Sequence, residues 1–576
     1  MGILPIIKNQ SKVINIKLDL EKIFLVIFLA ILLFIGPGAL FGHQIKHDFP
    51  YNYLSSDAFQ HQVRAESIKD AGNFRYEANY ISLGLDNIIG RYPPVLYHLA
   101  VILSYAAGIE TYDSIYFIVY FFVIASVFAM YLIIRRFSKN IAIIALPLTI
   151  LAISPNLYVN QNGSLIKSNF GVNIGFAYGH WPSLLAQSFL IAFAWWLLNS
   201  DLKKSYIPTA IILSAVALSH TSEAIFAILF LLMFLIMKWI SKNLKKNDIK
   251  DLIFSLAIAF ALSVYFLIIF LNTWAKSETY SFVVEPVWQG NPGVYIMSFG
   301  VLLAFIIAGI VFSLFKFKNM HISLVFGFAM LFSGFLNYIG FSLRSFQIRF
   351  LWPIYLSVFF GFGIYMLLKL AIENWNIAYS VALAGIFIIL LVGFVNIPFV
   401  PHYTKPNIDG GLMDTYHWSA LKWLSASTEP NSRIYFFYGD IYGQDALLRN
   451  SKRVHYQVNN EDFVKSIQER KIKRYYVSES PGDSGGTIAA RSGLFKFDYP
   501  ANKKPDDYFF GQKDICSFNY IVLDKVSGQE AFWKYNMLLA SEMLKKSHIS
   551  KVFENEVVII LKNNKIGADC IEERSF

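Results

Sequence analysis

Four groups of polar residues interrupt an otherwise apolar sequence, and each has the residue types of a site. The first runs Ser55-Ser-Asp-Ala-Phe-Gln-His-Gln-Val-Arg-Ala-Glu66. On a helix, Asp57, His61 and Arg64 fall at i, i+4 and i+7, on one face. An acid, an imidazole and a guanidinium projecting together could bind a polar substrate or take a proton from it. The same spacing also describes a capped, solvated amphipathic helix with Asp57 near its N-terminus. Asp48, in Asp48-Phe-Pro-Tyr, is a second acid in the same stretch.

The second group is Gly90-Arg91-Tyr92-Pro93-Pro94-Val-Leu-Tyr97-His98. Pro93 keeps Tyr92 extended and Pro94 suits the first turn of a following helix, which brings Tyr97 and His98 to a membrane interface. The third comprises Gly179-His180-Trp181-Pro182 and Ser219-His220-Thr221-Ser222-Glu223. Glu223 is an acid within apolar sequence. Such groups line cavities or pair, so a structural His220–Glu223 pair fits as well as a substrate contact. The fourth is Ser342-Leu-Arg344-Ser-Phe-Gln-Ile-Arg349-Phe-Leu-Trp-Pro353. Its two guanidiniums suit paired hydrogen bonds to phosphate, or interfacial anchoring beside Trp352.

Composition sets the elements that must hold these groups. Of 576 residues, 55% are hydrophobic and 15% charged, against about 25% charged in soluble domains. A soluble multidomain chain, a disordered chain, collagen and a coiled coil are excluded. Two cysteines exclude a disulfide scaffold. A bilayer is crossed by about 20 apolar residues. Eleven such runs precede Pro398: 23–41, 114–134, 141–157, 181–198, 206–218, 224–240, 252–271, 295–315, 322–341, 350–370 and 378–397. The first follows a basic leader without a small-residue cleavage pattern, and reads as a retained anchor.

Orientation follows from the basic residues near the span ends. A cytoplasmic N-terminus puts Lys8, Lys12, Lys17 and Lys22 inside, with the Arg135-Arg136 turn, Lys203-Lys204, the lysines of 238–250, Lys316 and Lys318. Only Lys167, Lys276 and Arg344 then remain in the short outer loops. The net charge of +11 is therefore largely a topology signal, and nucleic acid is not a partner. Residues 43–113 form one large outer loop, whose apolar stretch 95–108 is too short to cross and reads as a juxtamembrane helix. All four polar groups lie on the outer face.

Residues 401–576 carry charge throughout. Short strand-like runs at 434–438, 475–477, 520–523 and 557–561 alternate with amphipathic stretches at 418–424 and 529–544, the pattern of an α/β domain. Eleven spans place it outside the cytoplasm. Cys516 and Cys570 there stand either as a disulfide or as two buried thiols. The Asn162-Gly163-Ser164 sequon reads as a chance match. The expected fold is an α-helical polytopic membrane domain, 1–400, with an extracytoplasmic α/β domain, 401–576.

These features, in this order, resemble the GT-C membrane glycosyltransferases. An Asp soon after the first span, a large first outer loop, Tyr92-Pro-Pro-Val-Leu-Tyr97 before a juxtamembrane helix, an Arg135-Arg136 turn closing the second span and a terminal soluble domain carry the likeness. Asp57-Ala-Phe-Gln-His61, Tyr92-Pro-Pro94, Ser219-His220 and Arg349-Phe350 are similar to the archaeal and bacterial members labelled 6-pyruvoyl-tetrahydropterin synthase-related. The resemblance covers most of residues 20–400. It implies transfer of a sugar, with inversion, from a polyprenyl- or dolichyl-phosphate carrier to a glycan, lipid or protein acceptor at the outer face of the cell membrane. In that reading Asp57 is the catalytic base, with Asp48 as the alternative. Arg349, assisted by Arg344 or Arg91, meets the leaving phosphate. His61, Arg64, Tyr92, His98, His180, His220 and Glu223 contact donor or acceptor.

Many members show an adjacent acid pair after the first span, whereas Asp57 is followed by Ala58. No tight carboxylate cluster offers hard oxygen ligands, so no metal cofactor is expected. Two other functions compete. A transporter or flippase of lipid-linked sugars would show internal repeats and broken polar helices at mid-membrane. A non-catalytic GT-C-like scaffold would use its outer domain to bind a partner.

Overall fold

Proline, glycine and run length decide which apolar stretches become uninterrupted helices. The computed structural model describes residues 19–36, 48–51, 53, 55–72, 92–153, 157–159, 165–167, 175, 178–199, 202–274, 292–300, 302–315, 320–339, 345–372, 377–394, 412–437, 445–479 and 511–576. Each of the eleven runs carries a helix. Leu20–Gly36 and Thr111–Phe137 come first, then Trp181–Asn199, Leu202–Ser219, Thr221–Ile240 and Lys246–Trp274.

Five helical stretches among the described residues are long and apolar enough to cross a bilayer: Thr111–Phe137, Trp181–Leu198, Thr221–Ile240, Lys246–Phe266 and Ser345–Ala371. The other runs give shorter or broken helices, so eleven full crossings do not follow from helix length. Run 141–157 becomes Lys139–Ala145 and then a 3-10 turn, Leu146–Ala152, where Pro147 removes an N–H from the ladder. Run 295–315 splits into Pro292–Met297 and Leu302–Phe315. Ile322–Ser333 stops short of the full run. Small residues let the helices meet closely. A Cβ on Gly309 would fall 1.8 Å from the Phe359 carbonyl oxygen, so Leu302–Phe315 and Ser357–Ala371 touch backbone to backbone.

Thr111–Phe137 defines two ends of the bundle, about 40 Å apart at 1.5 Å per residue. Near its C-terminal end, Arg135 Nε donates to Glu21 at 2.6 Å and Lys139 pairs with the same carboxylate at 2.7 Å. At the opposite end, Thr111 donates to Glu66 at 2.7 Å and Tyr112 packs edge-on against Trp418. The basic turn and the start of the first helix thus share one end. The segment after the first helix and the C-terminal domain share the other.

Between the first two long helices the described residues form the helices Ser56–Ala71 and Val95–Ala107. The first is not a solvated helix. From Ala58 to Ile68 only Gln60 and Arg64 escape burial, although the segment is strongly polar. A polar helix buried in this way has to be held by partners on several sides.

The described residues from 412 onward form an α/β domain, as expected. Its seven-stranded sheet runs Gly511–Asp514, Tyr475–Glu479, Val454–Val458, Arg433–Phe436, Tyr520–Asp524, Val558–Asn563, Ile549–Glu554. The central three strands are parallel and the flanking pairings antiparallel. Val454–Val458 escapes sequence reading because His455 and Gln457 are buried in it and hide its apolar pattern. Cys516 and Cys570 form a disulfide, which settles the alternative left open by the sequence.

Asp414 caps the Thr415–Ser427 helix by accepting from the Tyr416 and His417 amides. Its carboxylate also accepts from His417 Nδ1, while His417 Nε2 lies 2.9 Å from Asp524 at the end of the central sheet. Burial pushes the His417 imidazole down, but the two carboxylates outweigh it and hold it up at about 9. A folded value above the ordinary 6.5 gives stability that is full below that pH and is lost as pH rises through about 9. His417→Ala is expected to cost about 3–5 kcal/mol by removing the cation that Asp414 and the buried Asp524 share. It should also remove most of the fall in melting temperature between pH 6.5 and 9. Thermal unfolding across that range tests this, and an unchanged slope would contradict it.

Candidate functional site

The site is assembled where the Ser56–Ala71 helix meets the ends of the spans. Ser55 is extended, and its Oγ donates to the Tyr178 carbonyl at 2.8 Å. That bond seats the turn before Trp181–Asn199 on the start of the polar helix. Gly179 in this turn has φ +76, and a Cβ there would lie 2.4 Å from Ala58 N. Only glycine allows both the left-handed conformation and the backbone contact. The result sets the half-buried Asp57 next to the turn that carries His180. Gly179→Ala is expected to lower stability by about 1–3 kcal/mol. Because it pushes on the Asp57–Ala58 peptide, it should also impair whatever Asp57 does. A melting temperature equal to wild type would contradict the contact.

One turn on, His61 Nδ1 lies 2.7 Å from the Tyr97 hydroxyl, and the Arg64 guanidinium stands 5.7 Å over the Tyr97 ring. His61 and Arg64 therefore share a face, as their spacing predicts. Tyr92, set by the two prolines, has its ring 4.9 Å from His61 and 6.4 Å from His220. Trp181 closes another side, 6.0 Å from His61. His98 is half-buried and follows Tyr97, about 100° around the helix.

Beyond Tyr92 a buried polar network runs through the span ends. Glu223 is fully buried and accepts from His220 Nδ1 and from Ser183 Oγ. Gln187 Nε2 donates to Ser183 Oγ at 3.1 Å and to the Gln347 carbonyl at 2.9 Å, and Tyr355 donates to Gln187 Oε1 at 3.2 Å. Gln347 Nε2 then donates to His180 Nδ1 at 3.0 Å. The two histidines are thus held in different states. His180 accepts at Nδ1 and carries its proton on Nε2, whereas His220 donates from Nδ1. Among the described residues, Ser219 Oγ and Gln347 Oε1 are buried without a hydrogen-bond partner.

Arg349 is fully buried. Its Nε donates to the Gly334 carbonyl at 2.8 Å and one terminal nitrogen to Asn337 at 2.7 Å, under the Tyr295 ring. His180 packs on Phe350, and Phe350 on Tyr295, so this guanidinium adjoins the same cluster. Asp48 is exposed, ahead of the buried Phe49 and Tyr51. Arg91, Arg344 and the 162–164 sequon lie outside the described residues. No group of three His, Cys, Asp or Glu side chains that could hold a metal stands among the described residues.

Asp57, His61, Arg64, Tyr92, His180, His220 and Glu223 are brought to one region. Sequence reasoning missed Ser183, Gln187, Gln347 and Tyr355, which link the clusters. The Ser183–Gln187 pair, four residues apart in an apolar helix, is the signal that could have found them.

The architecture, a bundle of apolar helices with a terminal α/β domain, is similar at the level of fold to solved membrane glycosyltransferase structures. No protein-family model and no curated protein matches the sequence. ArnT from Cupriavidus metallidurans in the apo state superposes with a TM-score of 0.52 at 11% identity, over 95% of this chain and 98% of that one. The same protein bound to undecaprenyl phosphate gives 0.51 at 11% identity, over 94% and 98%. The arabinofuranosyltransferase AftD from Mycobacteria gives 0.51 at 11% identity, over 95% of this chain and 40% of that one. None of them carries the narrower 6-pyruvoyl-tetrahydropterin synthase-related likeness.

Proposed function

We propose that the chain is a GT-C-type glycosyltransferase that moves a sugar from a polyprenyl- or dolichyl-phosphate carrier to an acceptor hydroxyl or amide at the outer face of the cell membrane. The observation that carries this is the convergence of Asp57, His61, Tyr92, His180 and the His220–Glu223 pair at one end of the bundle, in a fold similar to ArnT. ArnT has been solved with undecaprenyl phosphate, which supports a lipid-phosphate donor here.

In this reading Asp57 takes the acceptor proton as the acceptor atom attacks the anomeric carbon from the face opposite the lipid phosphate. The bond from that carbon to the phosphate oxygen breaks, the phosphate leaves with its electrons, and configuration inverts. Partial burial of Asp57 favours its role as base. Arg64 and His220 meet the developing phosphate charge, and Arg349 adds a fixed positive charge from behind the aromatic wall. His98, Arg91 and Arg344 are assigned to donor or acceptor contact, the two arginines as further cations. The lipid tail lies between the spans.

The orientation is proposed on two grounds. The Arg135–Lys139 turn marks the cytoplasmic end by the positive-inside rule, and the site and the C-terminal domain stand at the opposite end of Thr111–Phe137. The Cys516–Cys570 disulfide in that domain fits an oxidising compartment.

Comparison of cells with and without the gene tests the function. Loss of the chain is expected to remove one sugar from a surface glycan and to leave the matching lipid-linked sugar accumulating on the outer leaflet. A flippase would instead leave it on the cytoplasmic leaflet. Unchanged glycans and lipid-linked sugars would contradict the proposal.

A further inference from the structure

The Ser56–Ala71 helix is polar and 16 residues long, a length at which an isolated helix is marginal, yet it carries Asp57, His61 and Arg64. The outer domain holds it. Lys452 Nζ lies 2.8 Å from Glu66 Oε1 and 2.6 Å from Asp70 Oδ2. The other Glu66 oxygen accepts from Thr111 Oγ1 at 2.7 Å, so one carboxylate ties the helix both to the second span and to the outer domain. Upstream, the Leu412 amide donates to the Tyr53 carbonyl at 2.8 Å, and Trp418 stands 5.9 Å from Tyr112.

Lys452 has φ +55, a left-handed conformation that a lysine rarely adopts. The chain turns there, between Arg449–Ser451 and Val454–Val458, and delivers the ammonium onto the helix. Burial pushes the Glu66 carboxyl up, but the Lys452 charge and the bonds from Lys452 and Thr111 outweigh it and hold it low. Burial likewise lowers Lys452, and Glu66 and Asp70 raise it further than burial lowers it. Both partners are charged at neutral pH.

We propose that Lys452 is a positioning residue: its ion pairs clamp the Ser56–Ala71 helix and so hold Asp57 and His61 in the geometry that transfer requires. The helix is rigid, so a shift at Glu66 is passed along it to Asp57, where about 1 Å of misplacement can cost about 100-fold in rate. The outer domain is thereby part of the site although none of its residues is assigned to the reaction. The proposal rests on Asp57 acting in transfer, and the experiment separates the two.

The test uses the full chain in lipid nanodiscs with Lys452→Met and Lys452→Arg. Amide hydrogen exchange over 56–71 reads the clamp, and transfer kinetics read its consequence. Lys452→Met is expected to speed exchange over 56–71 by about 10-fold or more, with the Glu530–Met543 helix unchanged. It should lower kcat by about 10–100-fold with KM for the lipid donor within about 3-fold. Lys452→Arg should restore most of both. Wild-type exchange in Lys452→Met overturns the clamp, whatever the reaction is. Faster exchange with wild-type kcat, or equal acceleration throughout the outer domain, overturns positioning. If the wild-type chain transfers no sugar, the proposed function fails and Lys452 positions nothing for transfer, while exchange still decides the clamp.

Discussion

Asp57→Asn is expected to lower kcat for sugar transfer by about 10²–10⁴-fold, or about 3–5 kcal/mol on the barrier. The substitution keeps the shape of the side chain and removes its capacity to take a proton. Asp57 lies in the first turn of its helix, where loss of the charge costs about 0.3–1 kcal/mol of stability. The two magnitudes differ enough to be told apart. A small fall in melting temperature with a large fall in kcat marks a base, whereas matched losses mark a structural acid. Lipid-donor binding should persist, because the cations that meet the phosphate are untouched. Asp48→Asn should cost far less, since Asp48 is exposed whereas Asp57 is half-buried beside the turn that carries His180.

Glu223→Gln is expected to lower transfer by about 10–100-fold, or about 1.5–3 kcal/mol. The carboxylate accepts from His220 Nδ1 and Ser183 Oγ together, and so fixes both the ring and its proton. An amide replaces one of the two accepting oxygens with an NH2 donor, so in this geometry it cannot accept from both. His220 then turns or changes tautomer, which alters the ring that stands 6.4 Å from Tyr92. His220→Asn alone should cost a similar amount, and the double variant little more than either, because the two residues act as one unit. Additive losses would separate them. A loss of stability by Glu223→Gln with full activity would leave only the structural pair that the sequence also allows.

Much of the scaffold was legible because it follows local rules. The apolar runs became helices, 95–108 became the short Val95–Ala107 helix, and the four strand-like runs after 401 became strands of the α/β sheet. The number of complete crossings was not legible, since breaks such as Leu146–Ala152 depend on how a proline is accommodated inside the bundle. Spacing was enough to align His61 with Arg64. It could not reveal that the whole helix is buried, because what covers it arrives from 386 residues away, at Lys452. Nor could it join His180 to Gln347, 167 residues apart. Long-range polar contacts leave no periodic trace.

The central claim is that this polar convergence transfers a sugar from a lipid phosphate, with Asp57 as base. The most direct measurement supplies membranes holding the wild-type or the Asp57→Asn chain with a polyprenyl-phosphate sugar labelled in the sugar. Label is then followed into the acceptor fraction of the same cells. The account predicts transfer by the wild type and loss of about 10²-fold or more in the variant, with lipid binding retained in both. Equal transfer by the two chains, or none by the wild type, would contradict it.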